Sequence, residues 1–164
     1  SPMSTLIIES VDEYLRHLEE LYKQIQEWLH GEGLAWEEQK VVVNEERSGP
    51  YKASLLIIRQ SDGEQMAKLK PIGAHIIGAK GRVDLSGALD SQPFLYLLTD
   101  GPTVEMSIST EPGGELEEHA PPLFRGIDRE GWYALADREP KSVQRVNRET
   151  FLDLLEKVAD CEPK

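Results

Sequence analysis

Apolar positions follow two rhythms along the chain, and the switch between them separates a helical start and end from a strand-rich middle. Val11, Tyr14, Leu15, Leu18, Leu21, Tyr22, Ile25, Trp28 and Leu29 recur at three- and four-residue spacing. A stripe of that kind predicts an amphipathic helix of about five turns. Ser10 and Glu13 have the spelling of a capping box, which places the expected helix start at Ser10. Asp12 and Glu13 would then occupy the first turn, where the helix dipole favours negative charge. Gly31 and Gly33 are the expected stop. Positions 11, 15, 18, 22, 25 and 29 also approach a heptad, so the stripe could face either the chain's own sheet or a second copy in a homodimer.

After Gly33 the period shortens. Strands are expected over Trp36–Glu46, centred on Val41-Val42-Val43, and over Tyr51–Gln60, with Arg47-Ser48-Gly49-Pro50 as the turn between them. Leu55-Leu56-Ile57-Ile58 is too uniformly apolar for an edge strand. Ser61-Asp62-Gly63 turns the chain into Gln65–Ile72. His75-Ile76-Ile77 and Arg82–Leu85 are expected as short strands around Gly78-Ala79-Lys80-Gly81. Phe94–Leu98 and Val104–Ser109 form a further expected pair, and residues 111–122 a long polar loop. Trp132–Ala136 and Ser142–Val146 predict a last hairpin. Asn147 is the expected cap of a final helix with Phe151, Leu154, Leu155 and Val158 on its apolar face.

No helix-length pattern separates the strands, which argues against a parallel sheet. The expected class is therefore α+β: an N-terminal amphipathic helix, an antiparallel meander of about seven strands and a C-terminal helix, with the helices on one face of a curved sheet. Ser1-Pro2-Met3 resembles a cloning scar before a native start at Met3, leaving residues 4–164 as a single domain.

Charge adds a direction to this outline. The 164 residues carry 18 basic and 30 acidic side chains, a formal net charge of −12. Such a balance argues against nucleic acid or an anionic membrane as the main partner. The acid is unevenly spread. Residues 1–46 hold 3 basic and 11 acidic side chains, and residues 103–164 hold 8 and 14, whereas residues 47–102 hold 7 and 5. The acidic flanks, with the doublets Glu19-Glu20 and Glu45-Glu46, are candidate contacts for a basic protein partner. The slightly positive middle is where a small anion would be expected.

Signatures of catalysis are incomplete. Gly73–Gly81 resembles a phosphate loop, but Ala79 intervenes before Lys80 and Gly81 stands where a hydroxyl would hold magnesium. The segment is better explained as a glycine-assisted hairpin tip. Arg82 and Asp84, two apart in a strand, share a face opposite Val83. With His75 and Lys80 they form the candidate ligand set. No histidine pair has zinc-site spacing, and His119 among Glu115, Glu117 and Glu118 is best taken as a solvated acidic loop. Glu38-Gln39-Lys40 has the spelling of a nuclease Glu-x-Lys without the acidic strand that should precede it. No serine lies in a nucleophile elbow. The lone Cys161 is flanked by Asp160 and Glu162, which do not activate a thiol. It can form no internal disulfide, and with no leader or spanning segment in view the expected setting is cytoplasmic.

No metal or cofactor is expected. The leading expectation is a small acidic cytoplasmic binding module without catalytic activity, of the protein-interaction or inhibitor and immunity type. The alternative is a pocket in a curved sheet that binds or hydrolyses a small anionic ligand.

Overall fold

The computed structural model describes residues 2–98, 127–135 and 142–159. Helix α1 (Pro2–Gly31) is followed by strands β1 (Ala35–Val43), β2 (Tyr51–Arg59), β3 (Gln65–Gly73), β4 (Arg82–Gly87), β5 (Ser91–Leu97), β6 (Gly131–Leu135) and β7 (Val143–Arg145), and then by helix α2 (Arg148–Val158). The strands form one antiparallel sheet in chain order, β1 to β7. The fold is α+β, with both helices packed on one face of the sheet. The expected strand at 104–109, the polar loop at 111–122, His119 and Cys161 all lie outside the described residues.

Helix α1 corrects the expected start. It runs from Pro2, so Ser10 is interior and does not cap it; Asp12 and Glu13 are likewise beyond the first turn. The Ser10 hydroxyl donates to the Leu6 carbonyl at 3.0 Å, the back-bond a helical serine makes when no free amide is at hand. The apolar period continues upstream, with half-buried Ile7 four residues before Val11. The stop is as expected. Gly33 has φ 71°, and Leu34 N donates to Leu29 O at 3.0 Å while Gly33 N donates to His30 O at 3.1 Å. Those two bonds are the Schellman pattern, with glycine at the left-handed position.

The α1 stripe faces the chain's own sheet. Val11, Tyr14, Leu18, Leu21, Tyr22, Ile25 and Leu29 are buried in the main core with Leu56, Ile58, Leu69, Val83, Leu85 and Phe94 from the strands. Side chains alternate across a strand, and accordingly Leu95, Leu97, Tyr133 and Val143 form a smaller cluster on the other face. Helix α2 is capped as expected: Thr150 N donates to the Asn147 side chain at 2.9 Å. Phe151, Leu154, Leu155 and Val158 are its buried residues. Phe151 touches Phe94 and Trp28, with ring centroids 6.4 and 5.7 Å apart, which ties α2 to both the sheet and α1. Gly87 lets α2 approach the sheet, since a Cβ there would lie 2.2 Å from the Val158 carbonyl oxygen.

One irregularity positions the candidate site. The β2–β3 ladder runs from Arg59↔Gln65 to Leu56↔Leu69 and stops. Two residues on is Pro71, which has no N–H to give. The Tyr22 hydroxyl covers the end of the ladder, 2.7 Å from the Ser54 carbonyl and 3.2 Å from that of Leu69. Beyond that point the β1–β2 loop (44–50) and the β3–β4 connection (74–81) flank an opening.

His75-Ile76-Ile77 is not a strand. Ile76 and Ala79 make an isolated bridge, with Ala79 N 3.2 Å from Ile76 O and Gly78 at φ 82°. Glycine at the third position with positive φ suits a type II turn, which the second position, Ile77, must then lead.

Candidate functional site

A single carboxylate holds the two loops together. Glu45 follows β1, and its side chain is 11% exposed. Its Oε2 accepts from the Ala74 amide at 2.9 Å and from the Tyr51 hydroxyl, and its Oε1 accepts from the His75 amide at 2.9 Å. His75 Nδ1 lies 3.2 Å from the same Oε1, and since a carboxylate only accepts, Nδ1 carries the proton. Gly73 makes room for the group, because a Cβ there would fall 2.7 Å from Oε1. Burial opposes ionisation of Glu45. The Tyr51 hydroxyl and the two amides outweigh it and hold the carboxyl below the usual carboxylate range. Burial, then the bond to Glu45, pushes the Tyr51 phenol well above its ordinary value.

The far end of the β3–β4 connection is equally held. Lys80 N donates to Tyr96 O at 2.8 Å, and Tyr96 N donates to Gly81 O at 3.0 Å. Gly81 lies against the Tyr14 ring, 2.3 Å from where its Cβ would be, and the Tyr14 hydroxyl donates to the Arg82 carbonyl at 2.7 Å. Tyr14 and Tyr51 meet edge to face at 6.5 Å. The turn at 76–79 is thus presented on two anchored legs, and Ile77 at its tip is 91% exposed.

Between α1 and these loops lies an open cleft of about 770 Å³. Ser10 and Glu13 line it from α1, Glu46 and Arg47 from the β1–β2 loop, and His75, Ile76, Ile77 and Lys80 from the β3–β4 connection. His75 Nε2 is buried and has no hydrogen-bond partner among the described residues. Ser10, whose hydroxyl is committed to Leu6, makes no bond to His75 among the described residues.

The structure divides the residues singled out from the sequence. His75 and Lys80 share the cleft with Glu45 and Glu46. Arg82 and Asp84 point to the sheet face away from the helices, opposite buried Val83. There they pair bidentately, Arg82 Nε to Asp84 Oδ1 at 2.7 Å and the terminal nitrogen to Oδ2 at 3.0 Å. Hydrogen bonding to Asp84 raises the Arg82 pKa. Glu19 lines a second groove of about 410 Å³ with Tyr22, Lys23, Glu38, Lys40 and Lys52, and Glu20 is exposed on α1. Ser10, Glu13, Arg47, Ile76 and Ile77 line the cleft without having been candidate site residues. For Ile77 a signal was present, because a glycine after two isoleucines can place the second at the head of a turn.

Among the described residues, no three His, Cys, Asp or Glu side chains are grouped to hold a metal ion, and no helix is long and apolar enough to cross a membrane. Comparison with protein-family models, with curated proteins and with solved structures found no match to this chain.

Proposed function

We propose that the protein is a non-enzymatic binding module of the cytoplasm, of the inhibitor or immunity type, which docks a basic protein partner across the cleft and the Ile77 turn. The observation that carries this reading is the presentation of Ile77. A large aliphatic side chain stands in water on a turn whose legs are held by the Glu45 carboxylate on one side and the Tyr96 ladder on the other. A preorganised apolar tip loses little conformational freedom on binding, which is what an interface anchor requires. Acid along α1, rather than in the cleft itself, where Glu13 and Glu46 stand with Arg47 and Lys80, gives the partner its sign. Glu9, Asp12, Glu13, Glu19, Glu20 and Glu27 are exposed on α1 against Arg16 and Lys23, and Glu46 adds to the cleft rim. Complementary charge of this kind speeds association and weakens with salt. The same sign argues against nucleic acid as the main partner.

The test is affinity purification from the native host, comparing wild type with Ile77→Asp at low and at high salt. The expected result is one basic protein retained by wild type at low salt, reduced by salt and lost in the variant. Equal recovery by both proteins would remove the turn from the interface.

A second reading is favoured by one specific observation, the two cations Lys80 and Arg47 that line the same cleft. It makes the cleft a site for a small anion. Inorganic phosphate would then raise the melting temperature of wild type and not of Lys80→Ala.

A further inference from the structure

Strand β1 (Ala35–Val43) is an edge of the sheet among the described residues. All nine residues pair with β2 in unbroken register, from Ala35↔Arg59 to Val43↔Tyr51, and among the described residues no strand pairs with its other side. It has no proline and no bulge; of the usual devices against edge pairing it carries only charge, and Glu37, Glu38 and Lys40 supply both signs. The strand at the opposite end of the sheet, β7, spans only three residues, which is itself such a device. Along β1, Ala35, Glu37, Glu38, Gln39, Lys40 and Val42 are exposed, and Val42 is 56% accessible.

The sequence of this edge complements itself. If two copies run antiparallel about a twofold axis at Gln39, Glu38 faces Lys40 of the other copy twice. Trp36 faces Val42, Glu37 faces Val41 and Ala35 faces Val43. Opposite charges and an aromatic paired with a β-branched residue are the favourable cross-strand combinations. Shifting the axis to Glu38 sets that carboxylate against itself, and shifting it to Lys40 does the same to the ammonium. Gln39 is therefore the register that the charges select. Lys40 is already ordered at the surface by a 3.0 Å bond to Ser54 Oγ.

We infer that two copies of the chain associate through β1, centred on Gln39, joining their seven-stranded sheets into one. The α1 stripe is occupied by the core, while the outer edge of β1 is unpaired among the described residues. The interface uses no residue of the cleft beneath the Ile77 turn, although Glu38, Gln39 and Lys40 line the second groove, and it does not depend on the proposed docking.

Sedimentation equilibrium and native mass spectrometry should give twice the chain mass for wild type at rising concentration. Lys40→Glu opposes carboxylate to carboxylate at both symmetric positions and should weaken association about tenfold or more. Adding Glu38→Lys to it restores the attraction with the signs exchanged, and association should recover. In a Cys161→Ser background, Gln39→Cys should form an intermolecular disulfide on mild oxidation, because facing Cα atoms lie about 4.5–5.5 Å apart. Glu37→Cys should not, since its copies would sit about 13 Å apart along the strands. A circular dichroism spectrum like that of wild type establishes that each variant is folded. A monomer mass throughout, a dimer indifferent to the charge exchange, or equal cross-linking at both cysteines would each overturn the inference.

Discussion

Replacing Glu45 by alanine removes one acceptor group from four donors: the Tyr51 hydroxyl, the Ala74 and His75 amides, and His75 Nδ1. A hydrogen bond to a charged group is worth about 1.5–3 kcal/mol net, and leaving a buried donor unpaired costs about 1–3 kcal/mol. The open cleft lets water reach some of the freed donors, so the total stays well below four times either figure. About 3 kcal/mol is the expected loss, which for a chain of this size lowers the melting temperature by about 6–12 °C. Glu45→Gln keeps an oxygen but turns an NH₂ toward groups that donate, and should lose less. Thermal melts followed by circular dichroism at neutral pH measure both. A fall under about 2 °C for Glu45→Ala would mean that the carboxylate is not the strut between the loops.

The same strut predicts a coupling and a pH dependence. In wild type, Gly73→Ala drives a methyl group against a carboxylate that four donors hold in place, and overpacking of that kind costs about 1–3 kcal/mol. In the Glu45→Ala background the obstruction is gone and the same change should be nearly free. The folded-state pKa of Glu45 is depressed. Its contribution is therefore present above the ordinary carboxylate pKa of about 4.3 and disappears as pH falls through the folded-state value. The stability gap between wild type and Glu45→Gln should narrow on acidification below about pH 5. A gap that stays constant down to pH 3 would refute the linkage.

Three further outcomes test the packing beneath the site. Gly87→Ala brings a methyl against the backbone carbonyl of Val158, which also accepts from Leu89 N, so α2 must move and urea denaturation should show a loss of about 2–3 kcal/mol. Asn147→Ala removes the α2 cap and should cost about 1 kcal/mol by the same assay. His17 is buried, stacked on Tyr96 at 3.8 Å, and burial lowers its pKa. The unfolded chain takes up the proton first, so stability should decline as pH falls below about 6.5, and His17→Gln should flatten that decline in urea midpoints measured against pH.

The architecture was legible because burial imposes period. Leu18, Tyr22, Ile25 and Leu29 had to share a face to be covered, and Asn147 ahead of Phe151 could only cap. The helix start was not legible, since a serine and a glutamate three apart also occur in mid-helix and only the chain upstream decides between the two. Nor was the turn at 76–79. Two isoleucines imply a strand by propensity, and it is the left-handed Gly78 that breaks it. The candidate site was half legible for a related reason. Arg82 and Asp84 looked poised because they are adjacent, but adjacency on a strand let them satisfy each other. His75 and Lys80 reach the cleft through a connection whose path depends on where β2 and β3 part.

Glu45 shows how far a charge can be misjudged from its neighbours in sequence. Beside Glu46 it looked like half of an acidic surface doublet offered to a basic partner. In the fold the two part company: Glu46 faces solvent at the cleft rim, and Glu45 turns inward to donors from β2 and from the β3–β4 connection. The net charge of the chain therefore overstates the charge it can present. One carboxylate of the doublet acts at a distance on whatever approaches the cleft. The other acts only on the shape of the cleft, by setting where His75 and, through the turn, Ile77 stand. Neutralising Glu46 should thus change the salt dependence of partner association and leave stability alone, while neutralising Glu45 should do the reverse. Two adjacent residues of the same type then report separately on the electrostatics and the preorganisation that the proposed docking would combine.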